Sequence, residues 1–163
     1  MLPWVTERLD RLDAEPPMLF DEDDGIDFEA VAATDPDVIL AAYSGITRSD
    51  YETLSRIASV IAHPEAPWTA TWRKMIRQNA AGIGTAKAGE ELVRRLEKRI
   101  EEAVAKHPDL ASKTGMFVTH LDPCDLSTIH FYAEADQRVQ FLRDLGMEIP
   151  QAVRTASEAD QYA

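Results

Sequence analysis

The run from Ala86 to Lys106 constrains this chain more than any other, because it contains no proline and only one glycine, Gly89. Val93, Leu96, Ile100 and Val104 recur at intervals of three and four, and Leu92 and Ala103 widen the stripe. That spacing puts them on one side of a helix with a period near 3.6. The other side carries Glu90/Arg94, Glu91/Arg95 and Lys98/Glu102, each pair four residues apart. Such pairs contribute only ~0.2–0.5 kcal/mol each, but they suit an exposed helical face. His107-Pro108 ends the run, since the residue before a proline is pushed out of the helical region. At 1.5 Å per residue the helix is about 30 Å long, enough to cross a small domain or to tie two together.

With 163 residues, 45% of them apolar and 28% charged, the chain can bury a hydrophobic core, as one domain or as two undersized ones. A net charge of −12 opposes nonspecific binding to nucleic acid, which needs a basic footprint. The single cysteine, Cys124, excludes an internal disulfide and any multi-cysteine zinc site. Met1-Leu-Pro-Trp4 passes into Thr-Glu-Arg-Leu-Asp10 by way of Val5, with neither a basic start nor an apolar run, so no export signal is legible. No stretch approaches the ~20 apolar residues of a membrane span. Read literally this is a cytoplasmic chain; read as a fragment, its start lies upstream.

Val5, Leu9 and Leu12 suggest a short first helix, and Met18-Leu-Phe20 a brief strand. Asp27 is an N-cap candidate for a helix with Phe28, Val31 and Ala32 inward. Asp37 to Ala42 is apolar beyond its first residue and bounded by turn signals, as in a parallel strand covered on both sides. Thr47 or Ser49 caps a helix with Tyr51, Leu54, Ile57 and Ala58 inward, and Val60-Ile-Ala62 is a second strand. Helix, strand, helix, strand is an α/β order, with helices packed on a parallel sheet. Thr69 or Thr71 opens a helix through Trp72, Met75, Ile76 and Asn79, which Gly82-Ile-Gly84 separates from the long one.

Further on, Met116-Phe-Val-Thr119 and Thr128-Ile-His-Phe-Tyr132 read as strands, with His120 to Asp125 as the loop between them. Gln137 to Leu145 is a helix stopped by Gly146. Ile149 to Val153 reads as an extended segment, and the last ten residues as loose and polar. This second half cannot cover a parallel sheet on both faces by itself. The chain is therefore expected to be part of something larger, or to complete itself as a homodimer.

No phosphate loop, His-Glu-x-x-His or Gly-x-Ser-x-Gly motif is present. Gly82-Ile-Gly84 lacks the preceding strand that a dinucleotide site requires. His120, Asp122, Cys124 and His130 are residue types that ligate zinc or softer metals, although their spacing matches no specific site. They leave open a metal-dependent cytoplasmic enzyme using His120, Asp122 and His130. Tyr43 follows a strand at its carboxyl end, where open α/β sheets place ligands. Trp68 precedes a helix after a proline-bounded connection, and Tyr132 ends a strand in the second half; each is a candidate cleft residue. Arg48 and Arg73 are the nearest basic residues, and either suits an anionic ligand.

Asp35-Pro-Asp-Val-Ile-Leu-Ala-Ala-Tyr-Ser-Gly45, Tyr51-Glu-Thr-Leu-Ser-Arg-Ile-Ala58 and Pro67-Trp-Thr-Ala-Thr-Trp-Arg73 together resemble the ferric-siderophore substrate-binding proteins of ABC importers. Phe141-Leu-Arg-Asp-Leu-Gly-Met-Glu-Ile-Pro150 is similar to that family too, and the likeness runs from about Leu2 to Val153. The resemblance implies a partial two-lobe α/β fold, with parallel sheets, flanking helices and one long joining helix. Residues 1–84 would be the later part of the first lobe, 85–107 the connecting helix and 108–163 the beginning of the second lobe. It also implies a binder without catalysis, to which iron arrives inside a siderophore, so that no resident cofactor is needed. Tyr43, Trp68, Arg73 and Tyr132 would border the ligand, and a membrane permease would be the partner. The place of action would be the periplasm or cell surface, with or without a lipid anchor. Haem or cobalamin binding on the same fold is the alternative, with His63, Tyr43 or His130 as axial candidates for haem.

Overall fold

The computed structural model describes residues 2–20 and 25–159, the side chains of 120–122, 125, 126 and 159 excepted. Two compact units emerge, Met1–Ile39 with Thr47–Val60, and Leu40–Ile46 with Ile61–Ala163.

The first unit holds α1 (Pro3–Arg11), α2 (Phe28–Ala33) and α3 (Arg48–Leu54). Proline at the first position of α1 costs nothing, because that amide has no partner within the helix. Asp27 caps α2 by accepting the Ala30 amide at 2.9 Å. Thr47 and Asp50 form a reciprocal capping box on α3. Leu54 is buried as the spacing predicts, but Tyr51 is exposed, so the inward face of α3 is narrower than expected. Met18-Leu-Phe20 forms no strand and stays exposed.

Strands β1 (Val38–Ala41) and β2 (Ser59–Ala62) lie side by side as a short parallel sheet with α3 as their crossover, and the boundary between the units runs through both. The sequence suggests cover on both faces, yet Leu40 is 45% exposed.

In the second unit, α4 (Trp72–Gly82) and α5 (Ala86–Ala105) form a helical hairpin. Thr71, not Thr69, is the N-cap of α4. Small residues set how closely the helices approach: a Cβ placed on Gly89 would lie 2.5 Å from that of Ala80. Next to this contact Val93 is fully buried, at the centre of the apolar stripe that defines α5. A 3₁₀ turn (Pro108–Ser112) follows.

The segment read as a loop from 120 to 125 is instead a tight hairpin. Strand β3 (Val118–Asp122) pairs antiparallel with β4 (Asp125–Phe131), with Val118 opposite Phe131 and His120 opposite His130. Only Pro123 and Cys124 separate the strands, and a link that short permits antiparallel pairing alone. The expectation of parallel strands in the second half is corrected accordingly. A parallel bridge does form elsewhere in this part, between Thr114 and Glu148.

Helix α6 (Gln137–Asp144) is capped by Asp136, and the chain leaves its end through Gly146 at φ 79°. Where an extended segment and a loose end are expected after Ile149, the structure forms α7 (Gln151–Ala159), and residues 160–163 lie outside the described residues. Val153 is buried with Val139 and Ile149 in a core flanked by Phe131, Tyr132 and Leu142. Ser157 is buried one turn later; its hydroxyl donates to the Val153 carbonyl at 2.7 Å and accepts the Glu134 amide at 2.8 Å. Val153 is the one large apolar residue of this helix, which is why its sequence reads as polar.

Candidate functional site

After β1 the chain turns through Tyr43, Ser44 and Gly45. The Ser44 hydroxyl donates to the Ala41 carbonyl at 2.8 Å, and the Ser44 carbonyl accepts the Trp68 amide at 3.2 Å. This brings two of the sequence candidates together. Tyr43 and Trp68 meet edge to face, ring centroids 5.2 Å apart and planes inclined by 77°. That geometry directs the positive edge of one ring at the negative face of the other. Trp68 remains 50% exposed, so the pair offers flat aromatic surface to solvent.

Tyr132 follows β4 and packs against the Val139 core. Above it lies Arg138, whose guanidinium carbon is 4.1 Å from the ring centroid. Asp136 holds that cation, accepting from Arg138 Nη1 at 2.9 Å. Half-buried Arg138 thus combines a cation with an aromatic platform, and the helical periodicity gave no sign of it. The legible hint was a basic residue in the first turn of α6, where the helix dipole disfavours positive charge.

Arg73 has a different setting. Its Nε donates to Glu97 at 2.7 Å and its Nη1 to both carboxylate oxygens of Asp144, while it covers the Trp72 ring at 4.3 Å. Trp72 Nε1 donates to the same Asp144 at 2.9 Å. Burial works against the charged guanidinium, but the hydrogen bonds and charges of Asp144 and Glu97 outweigh it and raise its pKa. A ligand anion reaching Arg73 would compete with two carboxylates already in place. Arg48 lies on the exposed face of α3 and pairs with Glu52.

His63 Nε2 lies 3.3 Å from the Ile46 carbonyl, and its Nδ1 is buried without a hydrogen-bond partner. Axial ligation of haem by His63 would require breaking that contact or exposing Nδ1. The side chains of His120 and Asp122 lie outside the described residues. Cys124 and His130 are exposed, and among the described residues no three histidine, cysteine or acidic side chains come together as a metal site. An apolar groove of about 560 Å³ is lined by Trp72, Ile76, Leu96, Ile100, Phe117 and Phe141, with Arg138 also on its wall. Among the described residues no helix is long and apolar enough to cross a membrane.

The short parallel sheet with flanking helices matches the periplasmic binding protein fold at partial length. The chain belongs to the periplasmic binding protein family, whose model matches residues 4–163. It is similar to the structure of PiaA from Streptococcus pneumoniae TIGR4 in complex with ferrichrome, at 38% identity and a TM-score of 0.85, covering 99% of this chain and 54% of that one. A second PiaA structure, described as an iron uptake ABC transporter substrate-binding protein, matches at 40% identity and a TM-score of 0.80 over 94% of this chain and 54% of that one. SirA from Staphylococcus aureus complexed with staphyloferrin B shares the fold, at 16% identity and a TM-score of 0.69, covering 99% of this chain and 52% of that one. No curated protein matches the chain. The chain spans about half the length of the solved structures it matches. These relatives are described as binding proteins, and nothing in them supports the enzyme alternative built on His120, Asp122 and His130.

Proposed function

We propose that this chain is part of the substrate-binding component of an ABC importer that captures a ferric siderophore and passes it to a membrane permease. The observation that carries the reading is 38% identity, over 99% of this chain, to a protein whose structure holds ferrichrome. Iron enters as cargo, already ligated by siderophore oxygens, so the protein recognises the outside of the complex. Flat aromatic surface and a few donors suit that task. Tyr43 with Trp68, and Tyr132 with Arg138, are the proposed contacts; Arg73, engaged by Asp144 and Glu97 and stacked on Trp72, is the weaker candidate. Residues 1–84 are assigned to the first lobe, 85–107 to the joining helix and 108–163 to the second lobe. The place of action is the periplasm or cell surface, with or without a lipid anchor.

The test is a fluorescence titration of the chain with ferrichrome. Quenching that saturates, and weakens at least about tenfold in Trp68→Ala and Arg138→Ala, supports the reading. Affinity untouched by both substitutions would sink the assignment of contacts. Absence of any ferric-siderophore binding, in this chain and in a chain carrying both complete lobes, would sink the function.

A further inference from the structure

Three non-glycine residues have positive φ among the described residues: Asp13, Asp35 and Trp68. Aspartate tolerates the left-handed region, but a bulky aromatic at φ 61° does not settle there unaided. Such a conformation persists where its surroundings over-determine it. Around Trp68 they do so through two joined loops. Its amide donates to the Ser44 carbonyl, and its ring meets Tyr43 edge to face. Its indole lies directly on Gly45, where a Cβ would be 2.7 Å from Nε1 and 3.0 Å from both Cε2 and Cζ2. At the other end of the same pair of loops, His63 Nε2 meets the Ile46 carbonyl at 3.3 Å. A carbonyl only accepts, so this contact is made by the tautomer with its hydrogen on Nε2.

We infer that Gly45 and His63 are positioning residues that preset the exposed indole of Trp68 for ligand. Gly45 supplies the seat, since any side chain there occupies the space of the indole edge. His63 ties the seat's loop to the loop that carries Trp68. An indole held by protein contacts gives up little conformational freedom on binding, which favours affinity without adding a contact. The ligand half of this inference rests on the siderophore reading above; the seat itself does not.

The test pairs a spectroscopic readout with binding. The chain has three tryptophans, Trp4, Trp68 and Trp72, so ¹⁵N-labelled protein gives three indole resonances, with that of Trp68 assigned by its loss in Trp68→Phe. Gly45→Ala is expected to move the Trp68 resonance and to leave those of Trp4 and Trp72 in place. It should weaken ferrichrome binding about tenfold in the native background and not at all when Trp68 is already alanine, because interacting sites are non-additive. His63→Leu should move the Trp68 resonance, while His63→Gln, which keeps a donor near the Nε2 position, should not. An unmoved Trp68 resonance in Gly45→Ala, or an equal loss of affinity in the Trp68→Ala background, overturns the inference. If neither the native chain nor a chain carrying both complete lobes takes up a ferric siderophore, the siderophore reading fails, and the resonances still decide the seat.

Discussion

Arg73 Nη1 lies 3.0 and 2.8 Å from the two carboxylate oxygens of Asp144, 71 residues further along the chain. Asp144 also accepts from Trp72 Nε1, so one carboxylate at the end of α6 holds two neighbouring donors at the start of α4. These side chains are partly buried, 29% exposed for Arg73 and 20% for Asp144, so the pair is screened less than an exposed one. Asp144→Ala is expected to cost about 1–3 kcal/mol in urea unfolding, because it strands both donors. Glu97→Gln should cost less, since it removes one contact of a cation that keeps its other partner. Equal stability of Asp144→Ala and the native chain would refute the role of this knot.

Gly89 is the residue that a propensity argument would replace first. Alanine there gains about 1 kcal/mol of helix preference. Against it stands the close approach of α4 and α5, where the new Cβ would lie 2.5 Å from Ala80 Cβ and 3.4 Å from the Ile76 carbonyl oxygen. Overpacking of this kind costs about 1–3 kcal/mol, so Gly89→Ala should destabilise the chain. Adding Ala80→Gly should recover part of that loss, because it removes the methyl that collides. A more stable Gly89→Ala variant would mean that the helices cross further apart.

Helix α7 gives a third check. Val153 is fully buried and Ser157 nearly so. Val153→Ala should cost about 1–2 kcal/mol through lost burial and the cavity left behind. Ser157→Ala should cost about 1–3 kcal/mol, because the Glu134 amide loses its acceptor. Hydrogen exchange at the Glu134 amide reads the second effect directly, and unchanged protection in Ser157→Ala would contradict the contact.

The pH dependence of α3 follows from its cap. Asp50 accepts first from the Thr47 amide and also from its hydroxyl, both at 2.8 Å, and these bonds hold its carboxyl below the usual carboxylate range. A depressed folded-state pKa means that the stabilisation is present above the unfolded value and is lost as pH falls through the folded one. The thermal midpoint of the native chain should therefore exceed that of Asp50→Asn at neutral pH. That gap should close as the pH drops below about 4. Glu90, lowered first by its hydrogen bond to Arg77, responds in the same direction. A gap that stays constant into acid would remove Asp50 from the account.

What could be read from residues alone was what local chemistry decides. Asp27, Thr47 and Thr71 announce helix starts because a side-chain oxygen satisfies an amide two or three residues on. The stripe through Val93 and Leu96 announces α5 because it repeats over five turns or so. Relationships over long separations left no local trace. Nothing around Trp72 or Arg73 points to Asp144, and nothing around Tyr132 points to Arg138 until α6 brings its first turn back over β4. Helix α7 has a single large apolar residue, Val153, and its buried Ser157 is held by hydrogen bonds, which hydrophobicity does not register. The hairpin at Pro123-Cys124 joins strands of mixed polarity, and a histidine pair carries no alternation.

The uncovered apolar side chains have a practical consequence for anyone handling this chain. Leu40, Met116, Phe117, Ile129 and Phe141 are all more than a third exposed, and the groove beside α5 is walled by hydrocarbon and aromatic rings. Environment-sensitive dyes such as anilinonaphthalene sulfonate should light up on the intact fold at neutral pH, while near-ultraviolet dichroism retains the signature of fixed aromatic rings. Dye fluorescence alone is then no measure of lost packing for this polypeptide.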